Sequence, residues 1–524
     1  MRQTAFPLLL VLFVAGSPAP AQTEVGEVSF ANSGAPAAQE PFLRGLALLH
    51  NFEYSDAAEQ FRKAQAADPD FAMAYWGEAM TFNHAIWMQQ DPAAARAVLA
   101  RLGANPEARL AKAKTERERD YLRAVEVLYG EGTKEERDFR YSAAMAALHQ
   151  RYADDVDATA FYALSLLGTA HQGRDFAIYM RSAALLEEVF PTHQHHPGVL
   201  HYLIHSYDDP IHAPLGVRAA RLYGNVAPNA GHALHMTSHI FVALGLWDDV
   251  IAANERAMRV VDQQRAAHGQ PPKSCGHYPT WLHYALLQER RFDEAARNLE
   301  ACRRMAAAEL SAAPAALDPD NSSAGSYVEM RVVQALETGR WDATGSLAVP
   351  AGHAAARFTE AYGEALLTRD PAALHAAAGR LRKIQKDLLA EIAKERKQGS
   401  PAGRQRAEIA VLQIDALERL RAGKADQGIT ILRRAAASED AMALEFGPPA
   451  IEKPTSELLG DELLALGRAA EAEQAYWAAL ARAPGRTLSL QGLLRAQQAL
   501  GESDAARQTQ AQLSRYVRAA AVSR

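Results

Sequence analysis

Thiols are nearly missing. The 524 residues include two cysteines, Cys275 and Cys302, too few for a disulfide scaffold or a four-thiolate zinc site. Positive charge is not in excess: 56 Lys and Arg stand against 62 Asp and Glu, a net charge of −6. No basic field is available to displace counterions from nucleic acid. Beyond the N-terminal segment no run of roughly 18 apolar residues occurs, so no later segment reads as a membrane span. Alternating β-branched stretches are also absent, which argues against a sheet protein. The motifs of several common chemistries are missing: G-x-S-x-G, G-x-x-x-x-G-K-[ST], G-x-G-x-x-G after a strand, C-x-x-C-H and H-E-x-x-H. With 48% hydrophobic and 23% charged residues, the chain is neither disordered nor collagen-like.

What is present begins with an N-terminal leader, MRQTAFPLLLVLFVAGSPAPAQ. Arg2 supplies the positive end, Ala5 to Gly16 an apolar stretch, and Ala19-Pro20-Ala21 a small-residue cleavage site. Residues 1–21 therefore read as a signal peptide, and the mature protein is expected in the periplasm or secreted, without a membrane span. Export permits a Cys275–Cys302 disulfide. A free buried pair, or Cys275 as a metal ligand near His277, are the alternatives. Gln22 to Glu40, rich in Gly, Ala, Ser and Pro, reads as a flexible tether.

From Pro41 onward the chain is rich in Ala, Leu, Arg and Glu and reads as helical nearly throughout. It also repeats. Gly45, Ala57, Phe61, Ala64 and Pro69 fall at positions 8, 20, 24, 27 and 32 of a 34-residue unit. Leu459, Gly460, Gly467, Ala472, Tyr476, Ala479 and Pro484 fall at positions 7, 8, 15, 20, 24, 27 and 32 of another. Small residues let two antiparallel helices approach, and a large one at 24 fills the gap between repeats. This spacing resembles the tetratricopeptide repeat (TPR), and the chain is similar to exported bacterial TPR proteins with a His-rich central region. The resemblance implies an all-α, TPR-like α-solenoid of antiparallel helix pairs. An N-terminal array over 41–311, a loop over 312–326 and a C-terminal array over 327–524 are expected.

Histidine is the unusual residue. Twelve of 18 lie within residues 193–283, several times the share that even placement gives. His201 and His205 form one H-x₃-H pair. His235 and His239 form another, 34 residues later, and His171 lies 34 before His205. Residues four apart on a helix share a face, where two imidazoles can hold one metal ion. Registered on Gly245 at position 15, His232, His235 and His239 occupy positions 2, 5 and 9. Registered on Ala295 at position 20, His277 occupies position 2. The resemblance implies that such positions line the concave groove. His201, His205, His232, His235, His239 and His277 are then candidate ligands for one or two ions. Asp208 can supply a further ligand or orient an imidazole. Imidazole and carboxylate without thiolate suit Zn, Cu(II) or Fe, and Met180 and Met236 leave a copper role open.

Other histidines read differently. His193, His195 and His196 in THQHHP read as a solvated loop, His283 as structural, and His212 as a residue that can close the site. His84, between Trp76 and Trp87, reads as part of an aromatic packing patch. Arg174 and Asp175 read as the start of a helix. Lys453 and Glu457 lie in a rigid connector before the last strong repeat. Two functions follow from this pattern. One is an exported solenoid with a His-rich metal centre, with or without catalysis. The other is a metal-free scaffold that binds a peptide or assembly partner in the groove.

Overall fold

The computed structural model describes residues 24–312, 322–341, 345–395 and 402–522; the leader lies outside them. Among the described residues are 24 α-helices and one short ribbon pairing Asn83–His84 with Gln89–Gln90. Successive helices pack against each other along the chain. The fold is all-α, a TPR-like array of helix pairs.

Local chemistry sets the helix starts. Thr115 with Glu118, and Thr133 with Glu136, form reciprocal capping boxes, each satisfying two otherwise orphaned amides. Asp155 and Asp175 cap the following helices. Gly245 and Gly467, both at repeat position 15, adopt φ values of +66° and +75°, where a β-carbon is penalised.

Small residues do what the repeat requires. A β-carbon on Gly45 or Gly77 would lie 3.0 or 2.3 Å from the ring of Phe61. A β-carbon on Gly460 or Gly492 would lie 2.8 or 2.2 Å from Tyr476. In both strong repeats the aromatic at position 24 is thus clasped between two glycines from flanking helices, so the backbones close onto its faces.

Residues 24–35 are not a tether. Val25 and Phe30 are buried, Phe30 stacks on Trp76, and Ser33 bonds Glu118. The sparse apolar content of this stretch concealed that its two large side chains both enter the core. The first helix accordingly begins at Pro36 rather than Pro41. Cys275 and Cys302 form a disulfide between Cα atoms 4.7 Å apart, closing a separation of 27 residues. A loop of that length adds about 3.5 kcal/mol in the chain-entropy picture.

The C-terminal helices return to the middle of the chain. Trp247 donates to the Gly485 carbonyl at 3.1 Å, and the Thr487 hydroxyl donates to the Gln288 carbonyl at 2.7 Å. At this junction the buried Arg486 guanidinium pairs with Glu457 at 2.7 Å and Glu337 at 2.9 Å. Lys453 joins it through Glu457 at 2.8 Å. Lys453 and Glu457 therefore serve this internal charge network. Burial works to raise the Glu457 carboxyl, but Arg486 and Lys453 outweigh it and hold it down to about 2 from the usual 4.5. With a folded value below the unfolded one, the carboxylate stabilises the closure above pH 4.5. That contribution is lost as pH falls towards 2. Glu457→Gln, which leaves a buried cation short of a partner, is expected to cost roughly 3 kcal/mol near neutral pH. It should also flatten the loss of stability across that acid window. Urea unfolding of both proteins as a function of pH checks this.

Candidate metal centre

Three helices, Pro197–Tyr207, Gly231–Ala243 and His277–Gln288, bring six histidines together. One nitrogen from each of His201, His205 and His232 lies within 4.8 Å of the others, and the same holds for His235, His239 and His277. The two triads adjoin: ring centroids of His205 and His239 are 5.5 Å apart, and those of His232 and His235 are 6.2 Å apart. His201 and His235 are fully buried, and His205, His232 and His239 are 2–8% exposed.

The outer nitrogens are spoken for. His201 Nδ1 donates to the His50 carbonyl at 2.6 Å. His235 Nδ1 donates to Asn254 Oδ1 at 2.7 Å, while the Asn254 amide donates to the Val250 carbonyl, which fixes which end of the amide accepts. His205 and His239 both donate from Nδ1 to Asp208 Oδ2, at 3.2 and 2.9 Å. Asp208 is in turn paired with the buried guanidinium of Arg174. An acceptor at Nδ1 puts the proton there and leaves Nε2 as a bare lone pair. The Nε2 atoms of His201, His205 and His232 are buried with no hydrogen-bond partner. Those of His235 and His239 face each other at 3.2 Å.

Charge agrees with this protonation. Burial, reinforced by the neighbouring imidazoles, holds His201, His232 and His235 well below the ordinary histidine value. Burial also lowers His239, and Asp208 recovers part of the shift, leaving it at about 4. For Asp208, burial acts upward, but Arg174 and the two imidazole donors prevail and hold it far below the usual carboxylate range. The centre thus offers the neutral imidazoles of His201, His232, His235 and His239 beside one ionised carboxylate.

Aromatic rings close the site. Phe52, a bulky residue at φ +57°, packs on His201 at 4.3 Å and His232 at 5.6 Å. A left-handed backbone at such a residue is uncommon and persists where its surroundings enforce it. Glu53 beside it accepts the His232 backbone N–H at 2.9 Å. Trp281 lies 4.6 Å from His239. Phe446, from the C-terminal half, stacks on His239 at 4.9 Å.

All six sequence-predicted histidines converge, with one revision. They do not line an open groove, because the returning C-terminal half and the turn at Phe52 roof them over; only His277 keeps an accessible side chain. Asp208 forms with His205 and His239 a further group whose ligand atoms lie within 4.8 Å of one another, while its oxygens accept from those two rings and pair with Arg174. The periodic His171 lies apart and pairs with Asp138 at 3.1 Å. His212 sits outside the triads against Asp209 at 2.9 Å. His283 is buried and bonds the Met330 carbonyl. Met236 belongs to the hydrophobic core. His84 stacks on Tyr54 at 4.1 Å.

Some residues escaped the sequence reading. Arg174 begins no helix but is buried against Asp208 and Asp209. His196 is not solvated: it bonds Asp157, which also holds His50. Asn254 had a visible signal. It stands at repeat position 24, where Phe61 and Tyr476 stand elsewhere, so a polar residue there asks for a buried partner.

No protein-family model and no curated protein matches the chain. Among solved structures it is similar to the APC/C hetero-tetramer Cut9–Hcn1, at 11% identity and TM-score 0.34, over 89% of this chain and 78% of that one. It is similar to the P58(IPK) TPR domain at 13% and 0.20, over 89% and 99%. Yeast Tom70 gives 10% and 0.26, over 89% and 96%. Likeness this weak carries no argument about function. The chain's own helices and side chains define a helical-repeat protein built around six clustered histidines, five of them buried.

Asn254→Ala removes the acceptor that fixes His235. Metal affinity is expected to fall roughly 10–100-fold, the usual cost of losing such an orienting partner, with helicity unchanged. Competition titration against a chromophoric chelator, alongside circular dichroism, measures both.

Proposed function

We propose that this chain is an exported metalloprotein that holds two transition-metal ions in the adjacent triads His201/His205/His232 and His235/His239/His277. The single observation carrying this reading is the His235–His239 contact. Two imidazole Nε2 atoms face each other at 3.2 Å, and each ring's proton is held at Nδ1 by its own acceptor. Two lone pairs at that distance repel unless a cation lies between or beside them. A shared proton is a poor candidate at neutral pH, because burial keeps both rings from ionising. A metal ion would satisfy both nitrogens, and a second ion the orphaned Nε2 atoms of the neighbouring triad.

Three neutral imidazoles per ion, without thiolate, suit Zn, Cu or Fe. Each triad leaves coordination positions that protein does not fill, the arrangement by which a bound metal activates a small molecule. Export is supported by the leader pattern and by the Cys275–Cys302 disulfide, which is at home in an oxidising compartment. A scaffold whose histidines recognise a peptide is less well supported, since five of the six are enclosed.

Metal analysis of untagged protein, after reconstitution with each metal in turn, is expected to give two ions per chain. His201→Ala and His235→Ala should each remove one. Loss of neither ion in these variants, or no stoichiometric metal in the wild type, contradicts the proposal.

A further inference from the structure

One of the six histidines is held differently from the rest. His201, His205, His235 and His239 each have an acceptor at Nδ1, and His232 packs against Phe52 and Trp87. His277 is exposed, and among the described residues nothing hydrogen-bonds its ring. Its direction is therefore set by its backbone.

Local structure secures that backbone weakly. His277 opens its helix, where a capping side chain normally satisfies free amides. The residue before it is Gly276, at φ +104°, which has no side chain to cap with. Residues 266–273, leading up to it, are exposed. Their bonds run back to the preceding helix, from the Lys273 N–H to Asp262 and from Arg265 to the Pro271 carbonyl. The firm anchor is Cys275, two residues before His277. It is 1% exposed and bonded to the fully buried Cys302 of the following helix, Phe292–Ala312. This covalent bond does for the His277 backbone what Asp208 and Asn254 do for the other rings. The helices that carry His201, His205 and His232 contain no cysteine.

We infer that the Cys275–Cys302 disulfide is the positioning element of the second metal site, so that the His235/His239/His277 ion is held tightly only by the oxidised chain. This rests on the proposed function above. The bond is enclosed, so it is made as the chain folds. The two thiols exchange with an external disulfide, which leaves as two thiols; two electrons and two protons pass from the protein thiols to it.

The test compares full-length wild type with Cys275→Ser/Cys302→Ser, His277→Ala and the triple variant, each reconstituted with zinc at a buffered free concentration. Wild type is expected to hold two ions and each variant one, with helicity unchanged by circular dichroism. The second ion's affinity should fall roughly 10–100-fold in the cysteine variant, the cost of losing a ligand's support. The triple variant should bind no more weakly than His277→Ala, because both changes act through one ring. Two tightly held ions in the cysteine variant, none in it with helicity intact, or a triple variant weaker than His277→Ala overturns the inference. Metal-free protein supplies a separate readout. The Thr280 amide, bonded to the Gly276 carbonyl at 3.1 Å, should exchange hydrogen about tenfold faster in the cysteine variant, with Pro197–Tyr207 and Gly231–Ala243 unchanged. Unaltered exchange at Thr280 overturns the inference whatever the metal content. Faster exchange in a chain whose wild type takes up no zinc refutes the metal centre, and the disulfide's role there falls with it.

Discussion

The centre depends on where the imidazole protons sit. Asp208, Asn254 and the His50 carbonyl each accept from a Nδ1–H, and every such bond turns a bare Nε2 towards the interior. A hydrogen-bond acceptor on one side of a buried ring thereby leaves a free lone pair on the other. Asp208 is the keystone, because one oxygen serves both His205 and His239 and so ties the two triads together. A carboxylate buried without compensation would be costly. Arg174 supplies the compensation, and the ion pair lies behind the rings rather than among their free nitrogens.

This arrangement needs more than the helices that carry the histidines. A solenoid's repeats normally contact only their neighbours, which would leave the inner face open. Here the chain returns on itself, and Arg486 clamps the return by joining Glu457 and Glu337 at the boundary with Tyr284 and Gln288. The same return brings Phe446 onto His239 and His205. Closure buries five of the six histidines and leaves only His277 exposed; the burial lowers the proton affinity of His201, His232, His235 and His239. The C-terminal helices thus help to enclose the histidines that the N-terminal half supplies.

Much of this was legible in the sequence. Gly45 with Phe61 and Gly460 with Tyr476, at positions 8 and 24 of their 34-residue units, announced the helix pairs because close packing allows few residue types at those positions. The two H-x₃-H pairs lie one 34-residue repeat length apart, so their convergence followed. The roof over them was not legible, because Phe446 and His239 are far apart in sequence and no local pattern links them. Phe52 and His50 stand in a turn and at a helix end, where periodicity says nothing about direction. His196 looked like one of three loop histidines, but it caps the helix that follows and contacts Asp157 and His50. Residues 24–35 lacked helical pattern altogether, yet Val25 and Phe30 are core residues; extended segments can dock without periodicity.

The central claim is that six imidazoles hold two neighbouring ions. X-ray absorption at the metal edge of the reconstituted protein reads it most directly. The expected spectrum shows a first shell of nitrogen and oxygen near 2.0–2.1 Å for zinc, with the outer-shell scattering of about three imidazoles per ion and a metal–metal contribution. A shell of oxygen alone, without imidazole scattering, would contradict the claim.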